Sequence, residues 1–222
     1  MTNFRRLKNV ATIVACFAAA LFFSAALVSC NKDDNNGDTG QSTLTGTSIT
    51  ANVEGGSALN NLIDEVKLVA YNKENYDQFV VLATAKFTNG GFKIDLPGTV
   101  PSSVLESFDE DFLTDITVSN MNVKTTWAYT KAYDKDGQEI GGFYYYKEDG
   151  NTGVIMGLVY AEGDVNITGS STPHENVTST YSVSLKKGWN QVFEIEKELP
   201  DDKWEYTRTT ANQSGMKWIF ED

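Results

Sequence analysis

Two copies of one short pattern, Trp-x-Tyr-Thr-basic, contain the side chains best suited to binding chemistry. Trp127 and Tyr129 belong to the first copy, and Trp204 and Tyr206 belong to the second. On a β-strand, alternate side chains point to the same face, so each copy places a Trp, a Tyr and a cation together. Flat rings of this kind stack on sugar rings while polar tips bond hydroxyls. A buried Trp with a Tyr at the rim and a snorkelling cation is the other interpretation.

A run of four aromatic residues, Phe143 to Tyr146, is the second candidate for a binding surface. On a strand, Phe143 and Tyr145 face one way, whereas Tyr144 and Tyr146 face the other. Either one pair is buried and the other is exposed, or both sides of the strand are covered. Tyr144 and Tyr146 are therefore predicted as additional ligand-binding residues.

Oxygen ligands at close spacing make calcium the most plausible ion. Asp134, Asp136 and Glu139 flank a glycine in Asp-Lys-Asp-Gly-Gln-Glu. The segment lacks the third ligand position and the distant glutamate of an EF-hand loop. A hairpin turn between two strands is the alternative interpretation. No other cofactor is predicted.

Catalytic chemistry has little support in the residue types. His174 is the only histidine, in a polar stretch, and the only cysteines are Cys16 and Cys30. Nucleophilic catalysis needs a base beside the nucleophile, and a zinc site needs several His or Cys ligands. Among 30 acidic residues some pair always lies close in sequence, so such pairs indicate nothing. We therefore predict a non-catalytic protein.

The first 29 residues have the layout of a secretory signal peptide. Arg5, Arg6 and Lys8 precede an apolar run over residues 10–28, which ends in Leu-Val-Ser-Cys30. This ending is a lipobox, in which the cysteine thiol receives the lipid as a thioether after cleavage. We predict cleavage before Cys30 and its lipidation. A retained membrane helix is the alternative, because the run is close to the roughly 20 residues that a span needs.

Residues 30–48 are predicted to be a flexible acidic tether, since they have too few large apolar side chains to form a core. Removal of residues 1–29 takes away three of the 18 basic residues and none of the 30 acidic ones, which leaves a net charge of −15. Such a surface repels nucleic acid and anionic lipid headgroups. The acyl chains must therefore hold the protein at the membrane.

The residues after the lipidated cysteine carry a resemblance. Cys30-Asn-Lys32-Asp33-Asp34 resembles the lipoprotein export signal of Bacteroidota, in which a lysine and acids follow the cysteine. This resemblance implies an outer-membrane lipoprotein that faces the cell exterior. Residues 87–97 and 185–190 are similar to short pieces of small uncharacterised β-rich surface lipoproteins of that group, which implies no particular activity.

Period-two alternation of apolar residues predicts β-strands through the body of the chain, residues 49–222. Phe79 to Phe87, Phe92 to Leu96 and Tyr181 to Leu185 alternate in this way, and Asn89-Gly-Gly marks a hairpin turn between the first two. The prediction is an all-β, mainly antiparallel sandwich or barrel. One short helix is expected over Pro101–Phe112, where apolar residues have helical spacing. We expect one domain, with two β lobes and a seam near 101–112 as the alternative.

Taken together, these patterns favour a cell-surface binding or adhesion module, with a glycan as the more specific ligand. The alternative is a structural or assembly subunit of an envelope or fimbria-like complex, with another envelope protein as its partner. An exposed aromatic platform favours the first function. A long unpaired edge strand favours the second.

Overall fold

The computed structural model describes residues 43–45, 47–109 and 113–222. Cys30 and Lys32–Asp34 lie outside the described residues. The signal peptide, the lipidation site, the export signal and the tether up to residue 42 therefore remain predictions. The end of the predicted tether is instead ordered, because Thr43–Thr45 form a strand that pairs with residues 48–50.

Strands make up most of the described chain. They are β1 (Thr43–Thr45), β2 (Ser48–Asn52), β3 (Glu65–Asn72), β4 (Asn75–Lys86), β5 (Gly91–Asp95), β6 (Ile116–Val118), β7 (Thr125–Tyr133), β8 (Glu139–Asp149), β9 (Thr152–Ala161), β10 (Val165–His174), β11 (Val177–Leu185), β12 (Gly188–Leu199), β13 (Lys203–Thr209) and β14 (Lys217–Glu221). Helical structure in these ranges is limited to the 3-10 turns Gly56–Leu59 and Ser102–Val104.

Eleven strands form one large sheet in the order β4-β3-β7-β8-β9-β12-β13-β11-β10-β6, with β14 paired to β8. The small sheet has the order β1-β2-β5. Neighbouring strands are antiparallel except β11 and β13, which are parallel. The predicted all-β, mainly antiparallel, sandwich-like fold is confirmed.

The inter-sheet core lies where the small sheet covers one face of the large sheet. Ile49 and Ile94 contribute from the small sheet, and Leu68, Phe143 and Phe193 contribute from the large one. Each of these side chains is at most 3% exposed. Burial of one such side chain stabilises the fold by about 1.5–3 kcal/mol, so this core holds the two sheets together. It includes residues from both sides of segment 101–112.

A second core occupies the opposite face of the large sheet. Val159, Val183 and Val192 lie on its central strands, and Phe108 and Val123 come from the connections on either side of β6. These connections cover the apolar stripe that the alternating strands present. The large sheet is therefore buried on both faces over part of its width.

The turn between β4 and β5 follows the predicted chemistry. Asn89 and Gly90 have φ values of 54° and 78°, and Thr88 and Gly91 exchange backbone hydrogen bonds of 2.9 and 3.1 Å. Two successive positive φ values define the tight hairpin turn that Asn-Gly sequences favour. The tight turn predicted from Asn89-Gly-Gly is present, but the flanking strands do not form a hairpin, because β4 pairs with β3 in the large sheet and β5 pairs with β2 in the small one.

The helix predicted over Pro101–Phe112 is wrong for the residues that the structure describes, which end at 109 before resuming at 113. Only the 3-10 turn Ser102–Val104 forms there. Glu106 and Thr125 exchange two backbone hydrogen bonds of 2.9 Å, which extend the chain instead. The apolar side chains that suggested a helix are still buried in this extended segment: Val104, Leu105 and Phe108.

Three strands meet at a single point in the large sheet. The first half of β7 pairs with the second half of β9, the second half of β7 pairs with the first half of β8, and the rest of β8 pairs with the start of β9. Tyr129, Tyr144 and Gly157 fall between these three ladders. We call this point the three-strand junction.

Gly157 leaves the space that the junction requires. A Cβ atom at this position would lie 1.7 Å from Cζ3 of Trp127 and 2.5 Å from its Cε3. The indole ring therefore lies directly against the backbone of β9. A larger residue would displace the ring, because the contact is with the ring system itself.

Replacement of Gly157 by alanine should destabilise the protein by about 1–3 kcal/mol, because the added methyl group overpacks this contact. Denaturant unfolding of the purified variant measures the change. Gly98→Ala is the matched control, since a Cβ there meets nothing within 4 Å. Equal stability of the two variants would contradict the close packing of Trp127 on β9.

Candidate functional site

Both Trp-x-Tyr-Thr-basic segments lie on the same face of the large sheet. The first occupies β7 and the second occupies β13, and the intervening ladders with β9 and β12 preserve the alternation. The side chains that share this face are Trp127, Tyr129, Lys131, Trp204, Tyr206 and Arg208. The predicted side-by-side arrangement within each segment is therefore present.

A cavity of about 390 Å³ lies at the three-strand junction. This volume falls within the range of small-molecule sites, about 300–1,000 Å³. Tyr129, Tyr144 and Gly157, the three central residues, all line it. Other aromatic residues along its wall are Tyr71, Phe79, Trp127 and Phe220.

The cavity extends towards the inter-sheet core. Phe143, Met156 and Trp218 belong to that core and also line the cavity. Residues from both faces of the large sheet thus contribute to one space. The diverging strands allow this, because the three ladders stop short of the junction centre.

The aromatic rings at one end of the cavity fix one another. The ring centroid of Tyr71 lies 4.4 Å from that of Phe79 and 5.5 Å from that of Tyr129, with an interplanar angle of 75° in the second pair. Edge-to-face contacts of this kind are favourable for aromatic pairs. The rings are therefore positioned before any ligand binds.

Three tyrosine hydroxyls at the cavity have no hydrogen-bond partner among the described residues: Tyr71, Tyr129 and Tyr144. Other tyrosines differ, since Tyr76 donates to Glu106 at 2.9 Å and Tyr206 donates to Glu196 at 3.3 Å. A phenol both donates and accepts a hydrogen bond. The three free hydroxyls therefore offer a polar ligand six possible bonding roles, one donor and one acceptor each.

Trp218, a residue of the inter-sheet core, also lines the cavity. Its side chain is 2% exposed, and its indole N–H has no partner in the described part of the chain. A buried donor without an acceptor costs about 1–3 kcal/mol. Its ring packs 5.5 Å from that of Phe92 and 5.4 Å from that of Tyr145. A ligand oxygen that reached this N–H would remove the cost.

The environment keeps the phenols protonated. Burial raises the pKa of Tyr129, and the neighbouring Tyr71 raises it further. Burial also raises the pKa of Tyr144, with a further contribution from Glu221. Both hydroxyls are therefore neutral at physiological pH and able to donate.

Two ion pairs border the cavity. Lys131 lies 2.5 Å from a carboxylate oxygen of Glu139, and its ammonium lies 3.9 Å above the ring of Phe79. Arg208 is buried and contacts Glu194 at 2.5 Å. Both cations of the two Trp-x-Tyr-Thr-basic segments are thus neutralised by acids of the protein itself.

The second segment contributes little to the cavity besides Arg208. Trp204 and Tyr206 are half-buried and are not among the residues that line it. Tyr146 is also outside, with its hydroxyl close to the space above Gly153. Of the six aromatic residues predicted from sequence, the structure brings Trp127, Tyr129 and Tyr144 together at one site.

The segment predicted as a calcium site forms a hairpin turn. One carboxylate oxygen of Asp134 accepts the N–H groups of Asp136 and Gln138, both at 2.9 Å, and Glu139 is paired with Lys131. Over residues 47–109 and 113–222, no group of three or more His, Cys, Asp or Glu side chains is placed to hold a metal ion. The geometry therefore gives the predicted calcium site no support.

Sequence reasoning missed several residues of the site. Tyr71 and Phe79 face each other across the β3–β4 hairpin, and Trp218 reaches the site from β14. Alternation indicates which face of a strand each side chain occupies, but it does not indicate which strands meet. The pairing of β7 with both β8 and β9 left no local signal.

Comparison of the chain with models of known families, with curated proteins and with solved structures gives no match in any of the three. Among the described residues, none of the helical segments has the length and apolar character needed to cross a bilayer.

Replacement of Glu196 by glutamine should stabilise the protein at neutral pH. Burial and then the nearby Glu194 raise the pKa of Glu196 in the folded state, although the Tyr206 hydrogen bond lowers it. The folded state therefore holds this proton at a pH where the unfolded chain has lost it. Stability from this group falls as pH rises through that interval and is regained on acidification.

Thermal melts from acidic to neutral pH test this expectation. The Glu196→Gln variant should melt above the wild type at neutral pH, and the gap should close towards the ordinary glutamate pKa of about 4.3. Glu175→Gln, which removes an exposed charge elsewhere, controls for net charge. A gap that is constant with pH would contradict the assignment.

Proposed function

We propose that the protein is a non-catalytic lipoprotein of the cell surface that binds a glycan in the cavity at the three-strand junction. The observation that carries this proposal is the convergence of free polar groups and aromatic rings there. The hydroxyls of Tyr71, Tyr129 and Tyr144 and the indole N–H of Trp218 have no partner in the described chain.

Sugars satisfy both halves of this site. The apolar face of a pyranose ring stacks on an aromatic ring, and its hydroxyls both donate and accept hydrogen bonds. Cavity volume supports one or a few sugar units, since about 390 Å³ is close to the lower end for small-molecule sites. A purely apolar ligand would leave all four polar groups unpaired.

Attachment to the outer membrane through Cys30 accounts for the way the domain reaches its ligand. The lipobox that ends at Cys30 and the export signal Lys32-Asp33-Asp34 support a location on the cell exterior. Extracellular polysaccharide is accessible from that position. In the proposed protein, an acidic tether thus connects a lipid anchor in the membrane to a binding domain.

A Cys30→Ala variant should lose its membrane attachment, because alanine has no thiol to carry the lipid. Fractionation and mass spectrometry of the membrane protein test this, with an acylated N-terminus at Cys30 expected for the wild type. A Cys16→Ala variant, altered inside the predicted signal peptide, should remain attached. A mature Cys30→Ala protein that stays tightly bound would contradict the anchor.

Tyr144→Phe should weaken glycan binding about fivefold while leaving the melting temperature nearly unchanged. The substitution keeps the ring and removes a hydroxyl that bonds nothing in the described protein, and one net hydrogen bond is worth about 1 kcal/mol. Binding to a glycan array identifies the best wild-type ligand, and calorimetry then compares the variants.

Tyr76→Phe is the matched control, since this exposed tyrosine bonds Glu106 and lies outside the cavity. It should bind the glycan like the wild type. If the wild type binds no glycan, the proposed function is wrong. If Tyr144→Phe and Tyr76→Phe bind equally well, the ligand lies elsewhere on the protein.

A structural or assembly role is the second candidate, and strand β4 favours it. This strand has 12 residues, lies at the edge of the large sheet and pairs only with β3 in that sheet. It also exposes Tyr76 and Val81, each about half accessible. An exposed edge strand accepts a strand from another chain. Such pairing would not depend on Tyr144, so the same calorimetric comparison separates the two functions.

A further inference from the structure

The cavity carries an excess of negative charge. The charged residues that line it are Lys131, Arg208, Glu139, Glu194, Glu221 and Asp222. Lys131 and Arg208 are each paired with one glutamate. Glu221 and Asp222 remain without a cation among the described residues. The site therefore presents two uncompensated carboxylates to whatever enters it.

Glu221 lines the cavity and lies on the same face of the sheet as Lys131. It pairs with Gly142 of β8, which in turn pairs with Lys131 of β7 on the same face of the sheet. Glu221 is half-buried, and burial and the nearby Asp222 raise its pKa. A carboxylate that lacks a cation and is partly withdrawn from water is stabilised by a positive group.

Trp218 and the aromatic wall of the cavity determine which uncharged features the ligand needs. Trp218 requires an acceptor, because its buried indole N–H has no partner among the described residues. The aromatic wall requires a flat, largely apolar face. Electron-rich rings also attract a cation, as the contact of Lys131 with Phe79 illustrates. Oxygen acceptors, an apolar face and a positive charge are therefore favoured together.

We propose that the preferred ligand is an amino sugar with a free, protonated amine, bound with its ammonium group at Glu221 and Asp222. This inference rests on the proposed glycan-binding function and names the substrate class of the same cavity. The hydroxyl oxygens of the sugar serve Trp218 and the tyrosines. Sugars with carboxylate groups are disfavoured, because they would bring a third uncompensated negative charge to the site.

Three trisaccharides with the same β-1,4-linked backbone isolate the amine. Cellotriose carries a hydroxyl at C2, chitosan trimer carries an ammonium group, and the chitin trimer carries an acetamide. Titration calorimetry with the folded wild-type domain, below the pKa of the sugar amine, should give about tenfold tighter binding of the chitosan trimer than of cellotriose. Added salt should reduce this preference, since exposed charges are screened.

Glu221→Gln should remove most of the tenfold preference for the chitosan trimer over cellotriose. Glu148→Gln, an exposed change of equal charge on β8 outside the cavity, should keep the preference. Equal binding of all three trimers, or a preference that survives Glu221→Gln, overturns the inference and leaves the glycan-binding function standing. Failure of the wild type to bind any trimer or any array glycan overturns both.

Discussion

The divergence of β7, β8 and β9 around one point is the constraint on which the rest of the structure depends. Each of the three strands is antiparallel to the other two. Three strands that lie side by side in an antiparallel sheet cannot achieve this, because the two outer strands run in the same direction. The chain satisfies all three pairings only because each strand changes partner halfway along its length. The indole of Trp127 needs the missing side chain of Gly157 at this centre. Gly157 thus leaves the room that the Trp127 ring occupies at the junction.

The branching of the sheet determines how the aromatic residues at the junction pack and which of their hydroxyls stay without a partner. In an unbranched sheet, side chains on one face pack against a covering layer or lie in water. At the junction, Tyr129 and Tyr144 border a gap between strands, so their rings are fixed by neighbours while their hydroxyls stay free. The same gap gives Trp218 of the inter-sheet core access to the cavity. The cavity wall and the inter-sheet core therefore share residues.

Local patterns in the sequence were sufficient to predict strands, the face of the strand on which a side chain lies, and one tight turn. Alternation placed Trp127, Tyr129 and Lys131 on one face, and Asn89-Gly90 formed the turn that its backbone preferences require. Helical spacing misled at Pro101–Phe112, because an extended segment that hydrogen-bonds to Thr125 buries the same apolar side chains. Spacing reports burial, and backbone pairing decides the conformation.

The site itself was only partly predictable, for a physical reason. Its wall combines residues of strands far apart in sequence, such as Tyr71 of β3 and Trp218 of β14. Their meeting depends on ladder partners, which non-local backbone hydrogen bonds determine. The repeated Trp-x-Tyr-Thr-basic pattern suggested two equivalent segments, yet Tyr206 is tied to Glu196 while Tyr129 is free. Tyr129 and Tyr206 therefore differ in their hydrogen bonding because their neighbours differ.

The order of strands in the large sheet also makes the cavity depend on pairing between segments that are distant in sequence. Strands β11, β10 and β6 join the rest of the sheet only through β13, and β14 supplies Trp218 and Glu221 to the cavity wall. Strands β13 and β14 both lie in the last 20 residues of the sequence. Pairings between distant segments are slow to form, and the parallel β11–β13 ladder adds to this. The cavity wall is therefore complete only when β14 is paired with β8, and a ligand that binds there would stabilise the fully paired sheet.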